Sequence, residues 1–141
     1  MSTTAERSIC ITRFDQQRLA DLLALAREFN YRDRSDLQEL DAEIQRAQVV
    51  ESQEVPPTVV TMNSQVRLKD LDSGQRLEYR LVFPQDADIE EGLISVTSPI
   101  GTAILGYGEG DVISWHVPAG TRRIKIEKVV YQPEAAGDFD L

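Results

Sequence analysis

The stretch S-P-I-G-T-A-I-L-G-Y-G-E-G-D-V-I-S-W-H-V-P-A-G, Ser98 to Gly120, decides how this chain is read. Pro99 and Gly101 open it, Ala103 to Leu105 reads as a short apolar helix, and Gly106, Gly108 and Gly110 permit tight bends or positive φ. Val112, Ile113, Trp115 and Val117 then alternate imperfectly with Ser114 and His116, the pattern of a half-buried strand closed at Pro118-Ala119-Gly120. A phosphate-binding reading fits poorly. The glycines lack the Lys and Ser/Thr of a P-loop, and no acidic ribose partner follows at the spacing of a dinucleotide fold. The block reads as scaffold.

The period of two extends to both sides of it. Thr121 to Tyr131 sets Ile124 and Ile126 against Lys125 and Glu127, and Val59 to Thr61, Gln65 to Lys69, Arg76 to Phe83 and Leu93 to Thr97 give further strands. Asp72-Ser73-Gly74 is the turn between the second and third of these. A twisted antiparallel sheet covered by one short helix is the economical arrangement. The tail from Gln132 to Leu141, with Pro133 and Gly137, is expected to be loosely held.

Upstream of Pro56 and Pro57 the period changes. Phe14, Leu19, Leu22, Leu23, Ala26 and Phe29 recur at threes and fours, which predicts a helix over about Arg13 to Glu28, with Thr12 and Asp15 as a capping pair. Ser35 with Gln38 starts a second helix whose stripe is Leu37, Leu40, Ile44 and Ala47. The two stripes are expected to pack on each other. The fold class is therefore α+β: a short antiparallel helical hairpin over residues 1-52, followed by a sheet domain over residues 53-141.

Composition bounds the function. A chain of 141 residues with 41% apolar content buries one core and at most a small appendage. Fifteen basic against 24 acidic residues, net -9, repel free nucleic acid and anionic membrane at long range. Cys10 stands alone, so the chain forms no internal disulfide, zinc ribbon or Cys-x-x-Cys redox pair. Without a leader or a long apolar run, a soluble cytoplasmic protein is expected, with no membrane partner. His116 is the only histidine and sits inside a strand, the position of an exposed strand residue rather than a catalytic base. Asp86, Asp88, Glu90 and Glu91 form an acidic run of the kind found in solvated loops. Asp33 and Asp36, on the charged hairpin tip F-N-Y-R-D-R-S-D, are the weak candidates for a metal ion, although Arg32 and Arg34 offer them simple ion pairs.

The Ser98 block, its Gly110-Asp111 step, the Trp115 strand and the closing Pro118-Ala119-Gly120 resemble the C-terminal domain of the Gre transcript cleavage factors. V-V-T-M-N-S at Val59 to Ser64, D-A-E-I-Q-R-A-Q at Asp41 to Gln48 and Y-Q-P-E-A-A-G-D at Tyr131 to Asp138 are similar to the Rnk family, regulators of nucleoside diphosphate kinase. The resemblance spans residues 35-141. It implies an FKBP-like sheet domain, a place at the secondary channel of RNA polymerase, and no cofactor. It also implies a docking surface that includes Ser98, Pro99, Gly101, Gly106, Gly110, Asp111 and Trp115, and a polymerase-binding tip of Tyr31, Arg32, Asp33, Arg34 and Asp36.

In Gre factors a long coiled coil carries two acidic tip residues that hold a catalytic magnesium ion. Here helices of about 13-16 residues reach roughly 20-25 Å. The expectation is a polymerase-binding elongation regulator that is not an enzyme, does not stimulate cleavage and has no direct sequence-specific hold on nucleic acid. Two alternatives stand beside it. A prolyl isomerase would need a pocket drawn from Trp115, Tyr79, Phe83, Tyr107, Tyr131 and Phe139. An adaptor of nucleoside diphosphate kinase is suggested by the family name, with an indirect link through transcription as its simplest form.

Overall fold

Thr12 ends one element and caps the next. Strand β1 (Cys10–Thr12) runs directly into helix α1 (Arg13–Glu28), whose first turn is closed by the Asp15 N–H donating to Thr12 Oγ1 at 3.0 Å. The computed structural model describes residues 9–28, 35–117 and 120–138. Helix α2 (Ser35–Arg46) follows and gives way at once to β2 (Gln48–Val50), which pairs parallel with β1 in the register Cys10↔Gln48, Ile11↔Val49 and Thr12↔Val50. This small ladder has no counterpart in the sequence reading, because three residues are too few to display a period. It clamps together the outer ends of α1 and α2.

The second half forms a five-stranded sheet. Its strands are β3 (Gln65–Asp70), β4 (Arg76–Val82), β5 (Leu93–Ser95), β6 (Val112–Val117) and β7 (Gly120–Tyr131), in the order β5-β4-β3-β7-β6. Two expectations need correction. The sheet is antiparallel except at its edge, where β4 and β5 run parallel, because two 3-10 turns at Pro84–Asp86 and Ile89–Glu91 carry the chain back instead of reversing it. Val59 to Thr61 is also no strand. Val59 makes one isolated bridge to Gly108, and the chain then bends through Asn63, a non-glycine residue at φ 67°.

Short helix α3 (Pro99–Ile104) covers the inner face, with Ser98 as its cap. Helix α4 (Pro133–Ala136) overturns the expectation of a loose tail over its described part. Gln132, Pro133 and Glu134 are buried, and the Gln132 amide donates to the carbonyls of both Pro56 and Val59 at 2.8 Å. A side chain that satisfies two backbone acceptors at once fixes the chain end more firmly than its Pro and Gly content suggests.

The helical stripes are not spent within the hairpin. Ile9, Ile11, Leu19, Leu23, Leu40 and Ile44 share one buried cluster with Val60, Met62, Leu68, Leu81, Ile104 and Ile126. One close approach lies at Gly106. Its carbonyl accepts from Cys10 N–H at 3.2 Å, its N–H donates to the Val60 carbonyl at 2.9 Å, and a Cβ added there would stand 2.5 Å from the Ile9 Cβ. Gly106 also holds φ +83°, so both its conformation and its surroundings demand glycine.

Gly74 separates these two demands, since it holds φ +77° with nothing within 4 Å of an added Cβ. Gly74→Ala is expected to cost about 1 kcal/mol, the αL penalty alone. Gly106→Ala is expected to cost at least about 2 kcal/mol more, because Ile9 must move out of a packed core. Urea titration of both variants checks this; equal losses would mean that Ile9 does not meet Gly106.

Candidate functional site

The site grows from a buried carboxylate. Asp15 is fully buried on the first turn of α1, where its Oδ2 accepts from the Met62 N–H at 3.0 Å and its Oδ1 accepts from Arg18 Nη2 at 2.5 Å. The Arg18 guanidinium lies over the Phe14 ring at 4.0 Å and over the Phe83 ring at 4.9 Å, so one cation spans from α1 to the end of β4. Met62 belongs to the T-M-N-S bend. There the Thr61 N–H donates to Ser64 Oγ at 2.9 Å, and the Thr61 hydroxyl donates to Glu134 Oε1 at 2.7 Å. Helix α1, the bend after Val60 and the start of α4 therefore meet in one hydrogen-bonded junction.

Burial pushes the Asp15 carboxyl above its ordinary range, against the pull of Arg18 and the Met62 and Thr12 hydrogen bonds. Glu134 is pushed the same way by burial, restrained by the Thr61 hydroxyl and raised further by the nearby charge of Asp15. Beside this junction an open cleft of about 540 Å³ runs between α1 and the Pro84–Asp86 turn. Its lining includes Arg18, Leu22, Leu25, Asn63, Phe83 and Asp86, with Leu25 54% exposed. Among the described residues of that lining, Phe83 is the one aromatic.

The residues singled out from sequence fall into three groups. Tyr31, Arg32, Asp33 and Arg34 lie outside the described residues, and Asp36 is described only as backbone near the start of α2. Ser98, Pro99 and Gly101 make one corner: Ser98 Oγ accepts from the Gly101 N–H at 3.1 Å and donates to the Ser95 carbonyl at 2.6 Å. A Cβ on Gly101 would stand 2.1 Å from that carbonyl oxygen. Gly106, Gly110 and Asp111 shape the loop after α3, where Asp111 Oδ2 accepts from the Gly108 N–H at 2.8 Å and the Gly110 N–H donates to the Ile126 carbonyl at 2.8 Å. Pro99 and Gly110 are exposed, while Gly101 and Gly106 are buried.

Trp115 and His116 lie on β6, with side chains outside the described set. The acidic run from Asp86 to Glu91 is exposed, and its Asp88 carboxylate is used locally, accepting from the Glu90 N–H at 3.2 Å. Among the described residues no three His, Cys, Asp or Glu side chains converge as a metal site would require. Among them too, no helix is long and apolar enough to cross a membrane.

Sequence reasoning placed Asp15 in a helix cap and stopped there. A signal was present: V-V-T-M-N-S puts two apolar residues before a Thr-x-Asn-Ser turn, a stretch built to bury its backbone and therefore to need side-chain partners.

The family model for the C-terminal part of GreA/GreB transcription elongation factors matches residues 55–131, and the model for the Rnk N-terminus matches residues 7–50. The chain belongs to the GreA/GreB family, with the N-terminal part of Rnk.

Over 101 residues it is 41% identical to the regulator of nucleoside diphosphate kinase of Escherichia coli strain K12, covering 71% of this chain and 74% of that protein. It is 36% identical over 96 residues to the transcription elongation factor GreA of Hyphomonas neptunium, covering 68% of this chain and 61% of GreA. A solved structure of a prokaryotic GreA/GreB elongation factor from Nitrosomonas europaea superposes with a TM-score of 0.73 at 38% identity, covering 89% of this chain and 100% of the other.

The junction carries a pH signature. A carboxyl whose folded value is raised binds its proton more readily in the native state, so its contribution to stability is complete at low pH and is lost as pH rises through the raised value. Glu134→Gln keeps an oxygen for the Thr61 hydroxyl and removes the titration. As pH rises from the ordinary glutamate range toward neutrality and above, the wild type is expected to lose stability relative to Glu134→Gln, with Asp15 leaving a shared residual slope in both. Urea melts across that range check it; parallel curves would refute a raised Glu134.

Proposed function

We propose that this chain regulates transcript elongation by binding RNA polymerase at the rim of the secondary channel, without stimulating transcript cleavage. In this reading the sheet half anchors the protein through the corners around Ser98 to Gly101 and Gly106 to Asp111, together with Trp115. The hairpin tip, Tyr31 to Asp36, enters the channel mouth. The protein works in the cytoplasm, needs no cofactor, and affects nucleoside diphosphate kinase indirectly, through transcription.

The observation that carries the proposal is the length and fixing of the hairpin. Helix α1 has 16 residues and α2 has 12, which at about 1.5 Å per residue is roughly 24 Å and 18 Å of rise. The bases of both helices are held by the β1–β2 ladder and by the Asp15 junction. The hairpin therefore cannot gain reach by sliding away from the sheet. Family membership supports the polymerase as partner, and the short hairpin supports occupancy over chemistry: carboxylates on a tip that stops short cannot deliver a metal ion to a distant active site.

Backtracked elongation complexes test this directly. The chain alone is expected to leave the transcript uncut, and in excess it should slow cleavage stimulated by a GreA factor, through competition for one site. Cleavage that is lost in Asp33→Ala or Asp36→Ala would overturn the non-cleaving mechanism, and failure to bind polymerase in a pull-down would overturn the proposal as a whole.

A further inference from the structure

The outward face of the sheet carries charge opposite in sign to that of the chain. Strand register puts Gln65, Arg67 and Lys69 of β3 beside Arg80, Glu78 and Arg76 of β4, and beside Tyr131, Lys128 and Lys125 of β7. Arg123 continues the same face of β7, and Glu127 sits at the register shift. Seven basic side chains thus share a face with Glu78 and Glu127, in a chain with 15 basic and 24 acidic residues.

The ion pairs on this face leave a remainder. Glu127 pairs with Arg76 at 2.9 Å, Glu78 faces Arg67 at 3.8 Å, and the rim residue Asp72 holds Arg123 at 3.1 Å. Glu109, also at the rim, is bound to the Val129 N–H, and Asp138 to the Tyr131 hydroxyl. Lys69, Lys125 and Lys128 have no acidic partner among the described residues.

Their arrangement disfavours the fold. Lys69 is the direct cross-strand partner of both Arg76 and Lys125, so three cations stand in one row across β4, β3 and β7. Like charges placed directly opposite destabilise a sheet. Glu127, drawn across to Arg76 at 2.9 Å, offsets part of this cost, Lys69 and Lys125 keep no acidic partner of their own among the described residues, and a polyanion laid across the row would supply one.

We propose that this face binds the backbone of single-stranded nucleic acid, independent of base sequence. Neighbouring strands put cations about 4.8 Å apart and alternate residues along a strand about 6.7 Å apart, a grid on the scale of successive phosphates in an extended strand. At one end of the grid the Arg80 guanidinium lies 5.2 Å from the centre of the Tyr131 ring, and this stack offers a platform for one base. An acidic protein is the weaker fit. The outward positions of β3 and β4 carry no large apolar side chain to serve as the buried anchor that protein interfaces use. The net -9 of the chain does not oppose this at contact range, because seven basic side chains meet two acidic ones on this face and the remaining charge is screened beyond about 10 Å at 0.1 M salt, the low end of the salt series below. The inference stands apart from the polymerase reading, since its assay contains no polymerase.

The test is fluorescence polarisation of the full chain with a labelled 20-nucleotide single-stranded RNA over a salt series. Binding is expected at low salt for any sequence, falling with a log–log salt slope near -2 for three contacted phosphates. Each lysine removed should flatten that slope by about 0.7. Lys69→Glu is the decisive variant because it sets a carboxylate between Arg76 and Lys125. Its thermal midpoint should hold or rise while its affinity drops at least about tenfold, a split that misfolding cannot produce. Arg13→Glu, the same charge change away from this face, should bind like wild type. No binding at low salt, an unchanged slope in Lys69→Glu with Lys128→Glu, equal binding of polyglutamate, or duplex bound as tightly as single strand would each overturn the proposal.

Discussion

A carboxylate removed from water has to be met by donors, and Asp15 is met by donors from two different parts of the chain. Arg18 comes from its own helix, three residues beyond Asp15, while the Met62 N–H comes from the bend that begins the sheet half. Leaving such a buried carboxylate short of a donor costs about 1–3 kcal/mol, so the contact sets where α1 may lie against the sheet within narrow limits. The other joining contacts follow from that placement. The β1–β2 ladder closes over it, Ile9 reaches Gly106, and Leu19 and Leu40 enter the core below Met62. The helical half shares one buried core with the sheet half, and the junction is among the contacts that hold it there.

Much of this was legible in the sequence, and the divide falls between local and non-local causes. Helix α1 is found where Leu19 and Leu23 recur at helical spacing, and β3, β4, β6 and β7 are found where Val66, Leu68, Leu81 and Ile124 alternate, because period is a property of neighbours. The Thr12–Asp15 cap was legible for the same reason. Pairing between distant segments left no such trace. The β1–β2 ladder, the parallel β4–β5 edge and the docking of Gln132 onto Pro56 and Val59 join residues up to 76 positions apart, and each rests on backbone groups whose partners are set by tertiary placement.

The Ser98 block illustrates both sides. Gly106 and Gly110 mark turns, as their spacing suggests, while Gly101 lies inside α3, and the reasons for glycine differ: at Gly101 the Ser95 carbonyl leaves no room for a Cβ, at Gly106 Ile9 leaves none, and Gly110 holds φ +90° with open space around it. Sequence yields the glycine and withholds the neighbour. The same holds for Asp111 and Ser98, whose side chains close the turns on either side of α3 and leave only their outer surfaces for any partner.

Rigidity and reach are linked in this architecture. A hairpin attached through a flexible linker could extend its tip by the length of that linker, whereas here the segment from Gln48 to Val60 is held by the ladder, by the 3-10 turn at Ser52–Glu54 and by the Gln132 amide. The far ends of α1 and α2 are therefore placed by helix length, and moving them requires residues inserted in pairs of turns so that the Leu19 and Leu40 faces stay directed at the core. An insertion of seven residues in each helix preserves both faces and moves the far ends of α1 and α2 outward by about 10 Å, while an insertion of two rotates the stripe out of the core and acts on stability before it acts on reach.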